Sequence, residues 1–494
     1  MKRQDVRWLF PLFILISLGS ATRTPAQESE SRAATSTLRS MTLTSCIQFA
    51  IQNSRDLVGS RLGLEVANKQ VREAWGEVLP QVDANFNYIR NLTDQSAFLP
   101  AIILDPNADP NAVIPVQFAG DNIWASVVTF EQPLFQAEAF IGVGAAGRFR
   151  SLQTERVRGT AHATVMNVRI FYYETLLARD EIRLLQESIE RVETTLAGAR
   201  GLQAAGLGSS YDVLRLEVEL AKLVPNRQRA QNRLLEAKRN LKVLMGMDVG
   251  QAIAVSGSLL TIDLEDLDAN AAAERELIDV VGVRVGDGSG LEEILELARQ
   301  NRSELLQARL DTQLADTQLK AERATVYPRL MAFAAYRIDA QENDSPDFFG
   351  DSRQRVTNWQ AGLRLEVPIF SGGSRWARIS QRKYQLDQVR TREALTEQEV
   401  ENQVRSLVAR ILEAYQRARA QRRAVAQAQR GFEIASAEFT NGLGTQINAT
   451  DAEVALREAE FDYAESVFDL LVARAQLDTA AGIVPFVDPI EEGS

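Results

Sequence analysis

The chain is written twice, in the same order of words. LTSCIQFAIQNSRDL, from Leu43, leads through Leu79-Pro80 to EQPLF at Glu131 and on to GLGSSYDVL at Gly206. LEEILELARQNRSEL, from Leu291, leads through Tyr327-Pro328 to EVPIF at Glu366 and on to GLGTQINATD at Gly442. The offset is 248 residues between Pro80 and Pro328, 235 between Pro133 and Pro368, and 236 between the two Gly-Leu-Gly words, so only the connecting segments change length. Duplication on this scale predicts pseudosymmetric halves that supply equivalent walls to one larger object. Enzymes more often concentrate their chemistry in one asymmetric cleft, and a function has to be argued from such a site.

With 45% hydrophobic and 24% charged residues over 494 positions, the make-up is that of an ordered protein. Lys2, Arg3 and Arg7 precede the apolar run Trp8 to Leu18 and then small residues, the pattern of a secretory signal peptide over 1–26 with cleavage after Ala21 or Ala26. Its removal takes away Lys2, Arg3, Arg7, Arg23 and Asp5 and moves the net charge from -11 to -14. An acidic exported chain argues against nucleic acid as a partner and favours cations wherever its acids line a cavity. Elsewhere no run reaches the roughly 18 apolar residues of a membrane-spanning helix, so any crossing has to be made with strands. The lone Cys46 excludes an intrachain disulfide and reads as a small apolar helix residue.

Helical patterns dominate. Ser374 to Arg430 holds neither Gly nor Pro for 57 residues, and Val400, Val404, Leu407, Ile411 and Tyr415 recur along it at spacings of three and four. Val165, Val168 and Tyr172, then Leu185, Ile189, Val192 and Leu196, repeat the rhythm in the first copy, as in a coiled coil. Helices over 137–204 and 374–440 would each be roughly 100 Å long at 1.5 Å per residue. Each leads through a Gly-Leu-Gly turn to a shorter returning helix, near 210–245 and 446–481, and Pro225 is expected to kink or interrupt the first of these.

Strand patterns lie at the opposite ends. Val82, Ala84, Phe86 and Tyr88 alternate with Gln81, Asp83, Asn85 and Asn87, and Trp359, Ala361, Leu363, Leu365 and Val367 alternate with Gln360, Gly362, Arg364 and Glu366. About ten residues with one apolar and one polar face match a transmembrane β-barrel strand. Asn122 to Glu131 and Arg329 to Ile338 are weaker, since both of their faces carry apolar residues. Four strands cannot close a barrel, and lipid does not tolerate open edges, so oligomerisation is expected. Loops at about 91–121 and 339–353 join the paired strands. An irregular acidic stretch near 247–290, with Asp263, Glu265, Asp266 and Asp268, reads as a solvated linker packed on the outside of the helices or as a cation site.

Strand pair, long helix, Gly-Leu-Gly turn and returning helix, all twice over, resembles the TolC-like outer membrane efflux protein family across essentially the whole mature chain. The resemblance implies a mainly α fold with a membrane β-barrel. Duplicated β-β-α-α halves would build a trimeric twelve-stranded barrel that continues as a long α-helical periplasmic tunnel. It divides the chain into a signal peptide (1–26), a first repeat (27–246), an inter-repeat linker (247–290), a second repeat (291–484) and a tail (485–494). Pro80, Pro133, Pro328 and Pro368 match the joints between strand and helix, where a fixed φ and a missing donor are useful. In the family, acidic residues and an arginine near the Gly-Leu-Gly turns hold the tunnel entrance closed. Asp212 and Asp451 match acidic positions, whereas Gly444 stands in place of the arginine, Asn448 of an aspartate and Phe439 of a tyrosine. Asp212 has a second reading, capping of the returning helix.

The implied function is an outer membrane channel of a tripartite efflux or secretion system. It would act as a passive exit duct for small molecules or polypeptides, driven by an inner-membrane transporter through a periplasmic adaptor. The turns Gly206, Leu207, Gly208, Ser209 and Gly442, Leu443, Gly444, Thr445 are the expected adaptor contacts, since glycine-bearing tips allow close backbone approach. A periplasmic coiled-coil adaptor or scaffold without a pore is the alternative, and it leaves the alternating strands unexplained. No G-x-x-x-x-G-K-[ST] string supplies hydrolysis. Gly142, Gly144 and Gly147 spell G-x-G-x-x-G, but Pro133-Leu134-Phe135 precedes them and a long helix follows, which favours small residues at a crowded joint over a dinucleotide site. The only histidine, His162, has no second ligand nearby, so neither a metal site nor a catalytic triad is expected, and no cofactor.

Overall fold

The computed structural model describes residues 39–93, 96–103, 106–109, 111–117, 120–283, 290–343 and 355–487. The expected signal peptide, most of the second strand-joining loop and the last seven residues lie outside these. Along the chain run β1 (Arg39–Met41), α1 (Leu43–Asn53), α2 (Arg55–Gly76), β2 (Gln81–Arg90), β3 (Ser96–Pro100), β4 (Val113–Gln117), β5 (Asn122–Phe135), α3 (Ala137–Ala204) and α4 (Ser210–Met245). They are followed by β6 (Ile253–Val255), α5 (Ala272–Asp279), α6 (Leu291–Asn301), α7 (Ser303–Ala324), β7 (Arg329–Glu342), β8 (Arg355–Glu366), α8 (Ser374–Thr440) and α9 (Gln446–Ala481).

The two longest helices have 68 and 67 residues, about 100 Å each at the standard rise. A helix of that length is stable only if its apolar stripe is covered all along. Here α3 packs on α2 and α7 toward the sheet and on α4 and α9 beyond its middle, while α8 packs on α7 and then α9. Within this chain α3 therefore has two shorter partners at each level, and α8 has one. The short partners meet end to end through equivalent contacts: Gly246 after α4 abuts Asn53 at the end of α1, and Gly482 after α9 abuts Asn301 at the end of α6. Pro225 lies inside α4, which continues through it unbroken, so the expected interruption does not occur. Pro225 and Ala221 are both exposed, where water can serve the carbonyl that the proline leaves unpaired.

The main core lies where the levels meet. Val165, Val168 and Tyr172 of α3 and Val400, Val404, Leu407 and Ile411 of α8 are buried there, as their spacing predicted, and Leu176 joins them. The inter-repeat segment is part of this core rather than a solvated strap, since Ile253, Val255, Leu259, Ile262 and Leu277 are buried in it. β6 also pairs in parallel with β1, a pairing too short to read from sequence. Arg169 of α3 and Asp478 of α9 form a buried ion pair at 2.5 Å across the duplication, and Val283 N–H donates to the same carboxylate at 2.8 Å. A second cluster fills the far end of the first hairpin, with Ile189, Val192 and Leu196 against Leu216 and Leu223.

At the other end β2, β5, β7 and β8 form one antiparallel sheet in that order. The weaker candidates β5 and β7 are its central strands, and the clearly alternating β2 and β8 are its edges. The four strands do not close on themselves. The loop expected at about 91–121 carries its own small hairpin, β3 paired with β4. Among the described residues no helix is long and apolar enough to cross a membrane.

Candidate functional site

Two regions carry the candidate function: the sheet and the hairpin tips about 100 Å from it along α3. In the sheet, register puts Val82, Phe86 and Tyr88 in line with Phe130, Ser126 and Trp124, and these with Ala334, Ile338 and Ala340. Trp359 and Leu363 continue the same face on β8. Phe86 and Trp359 are 71% and 74% exposed, an arrangement that water penalises and lipid does not. Aromatic rings pair on this face at 4.8 Å for Tyr88 with Trp124 and 4.5 Å for Tyr336 with Trp359.

The opposite face carries the polar side chains, with Ile123, Val127 and Phe333 among them on the central strands. Asp83, Asn85 and Asn87 of β2 share it with Arg337, Asn358 and Gln360 through the same register. Arg337 pairs with Asp339 at 2.6 Å, and Arg364 lies 3.8 Å from Glu131 and 5.1 Å from the centre of the Phe333 ring. Phe333 covers the gap at Gly362, whose missing Cβ would come within 3.1 Å of the ring. One sheet thus offers a face for lipid and a face for water. Pro80 and Pro328 immediately precede β2 and β7, and Pro368 follows β8 by two residues. Pro133 lies within β5 at the point where its register with β7 shifts, so all four prolines stand where pairing changes.

At the tips the two copies repeat one turn. Gly206 and Gly442 both have φ of +74°, which glycine adopts without strain. Leu207 N–H donates to Leu202 O at 2.9 Å and Leu443 N–H to Glu438 O at 2.8 Å, closing each helix in the same way. Ser209 and Thr445 then cap α4 and α9, accepting from the N–H groups of Tyr211 and Asn448. The side chain that caps α4 is therefore Ser209 and not Asp212, which stands in the first helical turn, where the helix dipole favours its charge. The turns leave Leu207 80% and Leu443 84% exposed.

The expected aperture residues separate by environment. Asp451 and Asn448 are exposed and Asp212 and Gly444 half-buried, whereas Phe439 is packed in the core beside Ala449. Among the described residues neither Asp212 nor Asp451 has an ion-pair partner. Gly208 and Gly444 hold equivalent places, and a Cβ on either would come within 3.0 Å of a neighbouring atom.

Other chemical readings resolve locally. Asp263 forms a bidentate pair with Arg422, which holds its carboxyl down at about 2, and Glu265 pairs with Arg419. Asp263 and Glu265 are thus answered by α8, whereas Asp266 caps the backbone of Asp268 and Ala269, and no group of three metal-ligating side chains occurs among the described residues. His162 is buried, and its pKa is lowered to about 4 by burial and by Arg158 and Arg302. Gly142 and Gly147 face open space in this chain, and Gly144 meets only the tip of Arg148, so the joint expected to be crowded is open. It opens α3 directly after β5, with no βαβ unit around it.

The family model described as outer membrane efflux protein matches residues 46–247 and 294–483. The outer membrane protein TolC of Vibrio cholerae is 21% identical over 422 residues, covering 84% of this chain and 88% of that protein. The alkaline protease secretion protein AprF of Pseudomonas aeruginosa is 24% identical over 372 residues, 74% of this chain and 71% of its own length. Among solved structures, the Campylobacter jejuni CmeC outer membrane channel superposes with a TM-score of 0.71 at 13% identity, covering 96% of this chain and 95% of that one, a likeness of fold.

Proposed function

The chain belongs to the outer membrane efflux protein family, and from that membership we propose that it is the outer membrane channel of a tripartite efflux or secretion system. The family is one of channels rather than enzymes, and its members sit in the outer membrane and extend into the periplasm. The observation that carries the finer reading is the sheet with one apolar and one polar face and with free edges at β2 and β8. Backbone groups on an open edge are too costly in hydrocarbon, so further copies must supply the missing neighbours. Three chains of four strands give a twelve-stranded barrel, with polar side chains around a water-filled interior. The helices continue it as a tunnel.

The division into repeats over 27–246 and 291–484, with 247–290 between them and 485–494 as a tail, is supported by the two matched stretches. Transport through this chain is passive; an inner-membrane transporter supplies energy, and a periplasmic adaptor links the two at the exposed tips. The cargo class stays broad, small molecules or polypeptides. A poreless periplasmic adaptor leaves the exposed aromatic face of the sheet without a role. The reading is tested by fractionating membranes, crosslinking the purified protein and recording it in planar bilayers. An outer-membrane trimer with heat-modifiable migration and stable conductance is expected, and a soluble monomer would end it.

A further inference from the structure

Partway along the hairpins, α3 and α9 meet over charges instead of apolar side chains. Arg191 of α3 donates to Glu453 of α9 at 3.2 Å, and lies 3.8 Å from Glu460 and 3.9 Å from Glu187. Its guanidinium also stands 5.7 Å from the centre of the Phe432 ring on α8. One side chain therefore touches both helices of the second hairpin, and three carboxylates share it. Arg457 lies 3.7 Å from the other oxygen of Glu453, and Arg183 lies 3.9 Å from Glu187. Glu453 is buried, yet its Oε2, the Oε2 of Glu460 and the Nε of Arg191 have no hydrogen-bond partner among the described residues. Beside them opens a cavity of about 430 Å³ lined by Glu460, Glu187, Arg183, Arg422 and Tyr463, which gives protons a route to Glu460. Arg422 is engaged by Asp263, and Tyr463 donates to the carbonyl of Ile262, so neither answers Glu460.

We propose that this cluster is an acid-tightened seam: protonation of Glu460 draws α3 and α9 together, and its ionised form favours separation of the two hairpins. The packed seam holds an ionised Glu460 partly out of water beside Glu187 and Glu453, with only a share of Arg191 in return. Burial leads in raising its carboxyl above the usual 4.5; Arg191 and Arg183 oppose the rise, and Glu187 and Glu453 add to it. In separated hairpins Glu460 is solvated and returns toward its ordinary value. The packed form therefore binds the proton more tightly. It gains as pH falls through the raised value, and the gain is complete below the ordinary one. The seam itself stands on geometry, and only its consequence for conduction rests on the channel reading.

Spin labels at the exposed Ala197 of α3 and Ala455 of α9, in the full-length protein in detergent, read the separation directly; the native thiol Cys46 is buried. The distance distribution is expected to shorten and narrow between pH 8 and pH 4, below the ordinary carboxylate value. The nearly isosteric Glu460→Gln is expected to give the pH 4 distribution at pH 8 and to lose the response. A wild-type distribution that is unchanged or longer at pH 4 overturns the proposal, as does a Gln variant that responds as the wild type does. Bilayer recordings keep the two readings apart. A distance shift in a protein that never conducts sinks the channel and keeps the seam, and conduction without any shift does the reverse.

Discussion

A Cβ placed on Gly482 would stand 2.3 Å from the carbonyl carbon of Asn301, and one on Gly246 would stand 2.2 Å from the carbonyl oxygen of Asn53. Both glycines end a returning helix in the left-handed region, at φ of +73° and +74°. The contacts are the same one made twice. In each half they let the returning helix run into the break between two shorter helices, so that a long helix is covered at both levels.

Gly246→Ala and Gly482→Ala should each destabilise the protein by at least about 2 kcal/mol, combining the cost of a side chain at positive φ with a backbone clash. Gly198→Ala is the control, since it lies in α3 with open space around it and should be neutral or slightly stabilising. Urea unfolding midpoints decide the matter. Equal midpoints for all three variants would show that the end-to-end contact carries no stability.

How far the sequence spoke depends on how local each signal was. The four longest helices were legible almost to the residue because a Gly-Leu-Gly word separates the two members of each pair. Edge strands β2 and β8 were clearer than the central β5 and β7, whose second faces carry Ile123, Val127 and Phe333. The parallel pair of β1 and β6 was invisible, being three residues long with partners more than 200 positions apart. The acids near Asp263 looked solvated because their partners, Arg419 and Arg422, lie on a helix from the other repeat. Of the candidate site, the turns were legible as words; the exposure of Leu207 and Leu443 and the burial of Phe439 depend on packing that spacing does not fix.

His162 gives a pH prediction with a defined sign. Its folded pKa of about 4 lies below the ordinary 6.5, so the folded state binds this proton less tightly than the unfolded state. The stability associated with neutral His162 is present above pH 6.5 and is lost as pH falls toward 4, up to about 3 kcal/mol at roughly 1.4 kcal/mol per unit. Because the chain has one histidine, His162→Gln removes the whole contribution. Unfolding midpoints measured from pH 7 to pH 4.5 should fall less steeply in the variant, and parallel slopes would count against a buried neutral imidazole.

The tips offer a test that separates backbone from side chain. Leu207→Gln with Leu443→Gln removes two exposed apolar knobs while leaving both left-handed glycines in place. Trimer and membrane insertion should persist and export should be lost. Gly206→Val with Gly442→Val should also abolish export, here by straining both turns at about 1–2 kcal/mol each. Normal efflux from the double leucine variant would show that the adaptor does not grip these side chains.

The entrance is the remaining question, since a trimer would bring Asp212 and Asp451 from three chains around one axis. Unpaired carboxylates at a constriction repel each other and attract cations, so they favour an open or cation-filled aperture. An arginine introduced at position 444 should pair with them and lower single-channel conductance. Two local facts shape the experiment. A Cβ at Gly444 would meet the Cβ of Glu438 at 3.0 Å, so Gly444→Ala is needed to measure the steric effect alone. Glu438 also offers the new guanidinium a competing partner, which Gly444→Arg combined with Glu438→Gln takes away. Conductance should fall in the order wild type, Gly444→Ala, Gly444→Arg, and lowest in the double variant. Asp212→Asn with Asp451→Asn should instead reduce cation selectivity and weaken block by multivalent cations. If the arginine variants conduct like Gly444→Ala and the asparagine pair keeps its selectivity, these carboxylates stand away from the aperture, and the part left to Asp212 is its favourable charge in the first turn of α4.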